Sequence, residues 1–321
     1  MPISNNEEFG LPMDISVVIP MYNMRGLVEK AIRSAAGQSY RPMEIIVVND
    51  GSTDGSDEIV RSLDIDGLRL VTQENAGVSA ARNRGTAEAR YPWVAFLDSD
   101  DEWVDSFLST IKQLHDAYPQ CRVFATSYYE IDRTGSVRHP GLPRLGFEGQ
   151  SGVVQNYFAS AVNSSPPVCS SAVCISRESL QRIGGFPSGV KAGEDLITWA
   201  RLLVRDRMAY HRGELSVIQS GVTLWDVGRV TDSADYVGDA LVKLLADVEG
   251  EDDIRHLRQY IGYWYVMRAS SFLRAGMKRE ARDAVIKSLR YGGFDLKKGM
   301  FFVMSYANQS LVNKVFRIYH R

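Results

Sequence analysis

The chain has 321 residues, 45% hydrophobic and 24% charged, with a formal net charge of −2 from 37 basic and 39 acidic side chains. This ordinary globular composition excludes a disordered tail, a collagen-like fibre and a coiled-coil rod, and the near-neutral total excludes an overall polycation for nucleic acid. The total conceals an asymmetry, because ten Lys or Arg face three acids from Gly276 onward, a local +7 that leaves −9 on the preceding residues.

Ile15 to Pro20 (ISVVIP) is a β-branched run without alternation, the pattern of a strand buried on both faces. Met24 to Gly37 has helical spacing, with Leu27, Ala31, Ile32 and Ala35 on one side. Glu44 to Val48 is a second buried strand, stopped by the turn-rich Asn49-Asp50-Gly51-Ser52. A helix over Asp54 to Leu63, a strand over Leu68 to Thr72, a helix over Ala76 to Arg90 and a strand over Trp93 to Leu97 follow. A further helix is expected from near Val104. This alternation predicts a parallel, doubly wound α/β sheet.

From Arg133 to Pro167 the chain is rich in Gly, Pro and Ser and reads as loops with short strands. Order resumes at Val173 to Ile175 and Arg177 to Ile183, and Gly193 to Arg205 reads as a helix entered through Glu194-Asp195. After Asp232 the pattern is almost wholly helical. Tyr260 to Ala275 and Lys278 to Tyr291 form a hairpin broken at Gly276, resembling a single tetratricopeptide-like repeat. Met300, Met304, Ala307, Leu311, Val315 and Ile318 then predict one amphipathic helix. Such a basic helix either buries its stripe against neighbours or lies on an anionic bilayer, presenting Phe301, Val303 and Phe316 with Lys297, Lys298 and Lys314.

Three cysteines, Cys121, Cys169 and Cys174, form no paired framework or zinc spacing and read as buried thiols in a reducing compartment. Met1 to Asp14 lacks the basic and apolar segments of a secretory signal, and no apolar run has the length of a bilayer span. The expectation is a cytoplasmic protein, with the inner face of the membrane reachable only as a surface.

Ligands of open α/β sheets bind at the carboxyl ends of the strands. Three strands here end in polar groups: Pro20-Met21-Tyr22-Asn23, Asn49-Asp50-Gly51-Ser52 and Asp98-Ser99-Asp100-Asp101. Tyr22 is suited to stack on a flat base and Asp50 to accept from a base N–H. Asp98, Asp100 and Asp101 put three carboxylates within four residues, which repel unless solvated or bridged by a cation; oxygen-only ligands suit Mg²⁺ or Mn²⁺. The plain alternative is an Asp-rich turn capping the next helix. No glycine-rich phosphate loop follows the first strand, which argues against a Rossmann dehydrogenase and against a sugar-1-phosphate nucleotidyltransferase.

The strings ISVVIPMYN, EIIVVNDGSTDGS, ENAGVSAARNRG and WVAFLDSDDEW, then SAVCISRESLQRIGGF and GEDLITWARLL, resemble in order the signatures of family 2 glycosyltransferases with a GT-A fold. The resemblance covers Ile15 to about Leu203 and implies a mainly parallel α/β sheet flanked by helices, followed by a C-terminal helical region. It implies a catalytic domain over 15–230, after an extension over 1–14 and before a helical appendage over 231–321 for dimerisation, acceptor docking or membrane contact. Pro20, Tyr22, Asn23, Asp50 and Arg82 fall where the family binds the nucleotide. Asp98 and Asp100 match its DxD motif, with Asp98 toward the ribose or metal and Asp100 on the metal, while Asp101 reads as a helix start. Asp195 matches the catalytic base. Glu194 is placed for an acceptor hydroxyl and Trp199 for a sugar face, or both pack in the core. The implied partners are a nucleotide-sugar, most simply a UDP-sugar, and a glycan or lipid-linked acceptor in bacterial surface polysaccharide assembly. The rival reading is a catalytically silent nucleotide-binding assembly protein. His211 and the stretch Val217 to Trp225 do not match the closing segment that some members carry.

Overall fold

The computed structural model describes residues 13–132, 134–141, 144–162, 166–190, 192–220 and 235–319. The chain separates into two compact units, one spanning 1–157, 164–189 and 194–221, the other 158–163, 190–193 and 222–321. The two short segments within the second unit carry no compositional mark that assigns them there.

In the first unit, β1 (Ile15–Met21) and β2 (Glu44–Asn49) are buried along their whole length, as continuous apolar runs between two helical layers should be. They pair in parallel with each other, and with β3 (Leu68–Thr72) and β4 (Trp93–Phe96) on the outer sides. Between them run α1 (Val28–Ala36), α2 (Ser56–Ser62) and α3 (Val78–Glu88). Helix α1 buries Val28, Ala31, Ile32 and Ala35, whereas Leu27, expected on that face, precedes the first turn and is exposed. The α3 face lies close on β1, because a Cβ at Gly85 would sit 2.3 Å from Val18 Cγ1. A glycine there lets helix and strand approach.

The sheet is mixed rather than wholly parallel. Beyond β5 (Glu102–Trp103) and α4 (Phe107–Ala117) run two long strands that the sequence reading passed over, β6 (Val123–Asp132) and β10 (Met208–Ser220). The short β7 (Val137–Arg138) and β8 (Ser151–Val153) pair with β6 and β10. The helix α5 (Tyr157–Val162) and a 3₁₀ turn (Ser170–Ala172) lead to β9 (Val173–Ser176), α6 (Arg177–Arg182) and α7 (Glu194–Leu203). The order is β3-β2-β1-β4-β9-β6-β10-β5, with β9 antiparallel to both neighbours and β10 parallel to β6.

That order positions the site. Connections from β1 run outward through β2 to β3, and β4 returns on the other side of β1, so the switch point lies at the β1 and β4 carboxyl ends. Their ladder ends at Val18↔Phe96. Pro20 lies past that last pair, where its missing N–H costs no ladder bond and the two strand ends part.

The second unit is helical: α8 (Tyr236–Leu244), α9 (Glu251–Arg274), α10 (Lys278–Gly292), α11 (Leu296–Met304) and α12 (Gln309–Tyr319). The hairpin turns at Gly276 (φ 76°), where Met277 N–H donates to Phe272 O and Gly276 N–H to Leu273 O. These paired bonds satisfy carbonyls at the helix end and require a left-handed residue. The expected single terminal helix is two, because the chain turns between Met304 and Gln309. Phe301 and Lys298, which the bilayer alternative would turn outward, are buried. Lys298 Nζ donates to the carbonyls of Gly292 (3.0 Å) and Gly293 (2.7 Å), closing the end of α10, and pairs with Asp295 at 3.1 Å. Among the described residues no helix is long and apolar enough to cross a membrane.

Candidate active site

Two loops at the switch point hold each other. Asn23, with φ 53°, donates its N–H to Ser52 Oγ at 3.0 Å and accepts from Thr53 N–H at 2.8 Å. Arg25 N–H donates to Asp54 Oδ2 at 3.0 Å. Tyr22, in the same turn, is 48% exposed, which fits a stacking role. The buried Asp50 is more occupied than expected of a base reader. Its Oδ1 accepts from Gln73 Nε2 (2.7 Å) and Ala76 N–H (3.0 Å), and its Oδ2 from Gly77 N–H (2.8 Å). A carboxylate has about four acceptor positions, so about one remains on Oδ2. Asp50 first of all fixes the turn that starts α3.

Helix α3 carries the link across the sheet. Arg82 is buried, and its Nη2 donates to both oxygens of Asp98, at 2.7 and 2.9 Å. Its Nη1 donates to Glu194 Oε1 at 3.2 Å, and the guanidinium lies 5.2 Å from the centre of the Phe186 ring. The two acids raise the affinity of this arginine for its proton above the ordinary range, against the opposing effect of burial. Its neighbour Asn83 clamps the following turn, donating Nδ2–H to Phe186 O and accepting Phe186 N–H, both at 2.8 Å. The AARNRG string is therefore a connector: Arg82 to the two acidic motifs, Asn83 to the IGGF turn, Gly85 to β1.

The three Asp of the LDSDDEW string do different work. Asp98 faces Arg82. Asp101 is buried and serves neither as helix start nor as free ligand, since α4 begins only at Phe107. Its Oδ2 accepts from Ser171 Oγ at 2.6 Å and its Oδ1 from Gln219 N–H at 2.9 Å, tying the end of β10 to this loop. Ser171 Oγ also accepts Asp98 N–H (3.0 Å), and its carbonyl accepts from Trp103 Nε1 and Ser216 Oγ, each at 2.6 Å. Ser171 is thus a positioning residue that sequence reading missed, for CSSAVC has no signature that distinguishes one serine. Asp100 is the remaining carboxylate. No other side chain or backbone group beyond its own donates to it among the described residues, and burial and then Asp98 push its pKa up.

At the start of α7, Glu194 takes Arg82, while Asp195 Oδ1 accepts, among the described residues, only its neighbouring Leu196 N–H, at 2.7 Å. Asp195 is pushed up to about 7, chiefly by burial and next by the Glu194 charge; Arg82 opposes this but is committed to Asp98 and Glu194. One guanidinium shared between two acids leaves the third without an ion pair among the described residues. Of the two alternatives for Trp199, a sugar face or core packing, the structure has the second: it is fully buried and meets Phe186 edge-on at 5.9 Å. His211 packs locally, its Nδ1 accepting from Gly213 N–H at 2.9 Å in the irregular part of β10. The stretch from 221 to 225 lies outside the described residues.

Asp100 supplies, among the described residues, a carboxylate to which no group beyond its own backbone donates, next to Asp98, and hard oxygen ligands suit Mg²⁺ or Mn²⁺. Both Asp98 oxygens already accept from Arg82, and among the described residues no three ligand side chains converge. The residues fit an ion that takes few protein ligands and completes its shell from diphosphate and water.

The family model described as Glycosyl transferase family 2 matches residues 16–182. The putative teichuronic acid biosynthesis glycosyltransferase TuaG of Bacillus subtilis is 30% identical over 203 residues, 62% of this chain and 76% of that protein. Matches to the first three curated relatives span only 17%, 28% and 32% of their lengths. In structure, S. aureus TarS 1-349 in complex with UDP-GlcNAc aligns with TM-score 0.66 at 17% identity, covering 95% of this chain and 92% of that one. The mannosyltransferase PcManGT of Pyrobaculum calidifontis, in complex with GDP-Man and Mn²⁺, aligns with TM-score 0.55 at 16% identity, over 98% and 92%. These structural likenesses establish the GT-A fold.

Proposed function

The chain belongs to glycosyl transferase family 2, and on that premise we propose that it transfers a sugar from a nucleotide-sugar, a UDP-sugar in the first instance, to a hydroxyl with inversion at the anomeric carbon. The observation that carries this reading is the division of labour around Arg82. Asp98 and Glu194 both accept hydrogen bonds from it, and Asp195 is left, among the described residues, as a carboxylate without an ion-pair partner and with a proton affinity near neutrality. A base of that strength both accepts and sheds a proton at working pH.

Tyr22 stacks on the base of the donor, and the remaining Oδ2 acceptor of Asp50 takes a base N–H. Asn23 and Arg82 hold the walls of the donor pocket. Asp195 takes the acceptor hydroxyl proton as its oxygen attacks the anomeric carbon from the side opposite the leaving diphosphate; a single displacement inverts the centre. Asp100 with Asp98 would hold a divalent ion, Mg²⁺ or Mn²⁺, whose chemistry there is to neutralise negative charge growing on the departing nucleoside diphosphate. Glu194, fixed by Arg82, is oriented beside the base to accept from an acceptor hydroxyl. The acceptor is a glycan or lipid-linked glycan of a bacterial surface polymer, a reading supported by the TuaG likeness.

The test is a donor screen with UDP-GlcNAc, UDP-glucose, UDP-galactose and GDP-mannose, measuring release of nucleoside diphosphate with Mn²⁺ or Mg²⁺ and reading the product anomer by NMR. Turnover with a UDP-sugar and an inverted product is expected. Retention of configuration, or neither binding nor turnover of any UDP-sugar, would overturn the reading.

A further inference from the structure

The helical unit holds a cavity of about 240 Å³ lined by Ser270, Arg274, Lys297, Met300, Phe301, Val315 and Phe316. Four of its lining residues, Met300, Phe301, Val315 and Phe316, are apolar, and among the described residues neither of its two cations has an acidic partner. Arg274 donates to Ser270 Oγ at 3.1 Å and lies 5.1 Å over Phe316, and burial lowers its pKa. Lys297 lies 5.8 Å over Phe301. The nearest acid in sequence, Asp295, is taken by Lys298.

The outer side of α11 is equally unusual. Leu296, Met300 and Val303 fall at i, i+4 and i+7, one stripe of the helix, and Leu296 and Val303 are 87% and 69% exposed. Met300 belongs both to this stripe and to the cavity wall. Phe294 and Tyr306 flank the helix and are exposed as well. A helix apolar on its buried side and on its outer side leaves a patch that water does not favour.

We propose that this cavity binds the phosphate headgroup of an anionic lipid, with the Leu296–Met300–Val303 stripe entering the headgroup boundary, so that the helical unit docks on an anionic bilayer. Charge selects this occupant. Ten basic and three acidic residues follow from Gly276, so a second copy would oppose like charge to like, whereas anionic lipid is complementary. Apolar burial and electrostatic attraction then act on the same helix, the combination that interfacial helices use. This proposal does not depend on the transferase reading, because vesicle binding requires no turnover.

The experiment is co-sedimentation of the full chain with vesicles of phosphatidylcholine, alone or with phosphatidylglycerol, together with calorimetry against inorganic phosphate and a short-chain phosphatidic acid. Binding to the phosphatidylglycerol vesicles, weakened by salt, is expected. At about fivefold per basic residue at the surface, Arg274→Gln with Lys297→Gln should weaken it about 25-fold. Leu296→Ser with Val303→Ser, at exposed positions that the fold tolerates, should weaken it as well while circular dichroism stays unchanged. Equal binding to pure phosphatidylcholine, indifference to both variants, or a dimer without vesicle binding overturns the proposal. Inorganic phosphate binding as tightly as the short-chain lipid would make this a free-phosphate site and overturn the lipid assignment.

Discussion

Replacing Asp195 by Asn should make the protein more stable and catalytically dead, with the stability gain depending on pH in a defined sense. The carboxyl has its proton affinity raised from 3.8 to about 7 in the fold, by burial and by Glu194. Its ionised form is therefore disfavoured in the native state but not in the unfolded chain. The penalty is absent below the unfolded value, grows as pH rises, and is complete above the folded value. At 1.36 kcal/mol per tenfold change in proton affinity, the full penalty is about 4 kcal/mol, of which about 2 kcal/mol is present at pH 5.5. Asn keeps the shape without ionising, so urea denaturation should show the variant ahead by about 2 kcal/mol at pH 5.5 and about 4 kcal/mol at pH 8.5. Stability–pH curves that run parallel for the two proteins would refute this account of the site. The wild-type kcat/KM should rise with pH through about 7 and level off, while the variant loses roughly 10²- to 10⁴-fold and shows no such rise. Retained turnover in the variant removes Asp195 from the role of base.

Arg82→Met should cost about 3–5 kcal/mol, because it strands Asp98 and Glu194 beside a buried face; Arg82→Lys should recover only part, since one ammonium cannot span both acids. Chemical denaturation of the three proteins checks the order. Asp100→Asn should leave the fold at least as stable, because among the described residues no group beyond its own backbone donates to this carboxylate, and should abolish any Mn²⁺-dependent gain in UDP affinity by calorimetry. A gain that persists removes Asp100 from the metal role. Gly85→Ala should destabilise by about 1–3 kcal/mol through overpacking against Val18, with Gly85→Ala plus Val18→Ala recovering most of it in a double-mutant cycle.

The order of elements in the first unit was legible because local signals agree: unbroken apolar strands, helical spacing and turn residues at strand ends. The two longest strands were not. β6 turns from buried to half-buried along VFATSYYEID, and β10 is irregular through His211–Ser216, so neither shows a clean period. The terminal stripe kept helical spacing across Met304–Gln309, which hid the turn there.

The sequence by itself determined which residue types gather at the strand ends and, through the ordered motifs, the family they resemble. It also determined the basic excess after Gly276, since charge is additive along a chain. Only the tertiary structure decided how those groups divide their work. Arg82 and Glu194 are 112 residues apart, and no local pattern says that one guanidinium is shared between two acids while Asp195 is left to titrate near neutrality. Likewise, spacing put Lys297 and Lys298 side by side, and only packing made Lys298 a buried helix cap and set Lys297 over the Phe301 ring. Proton affinity and exposure are set by surroundings, and surroundings are assembled from distant parts of the chain.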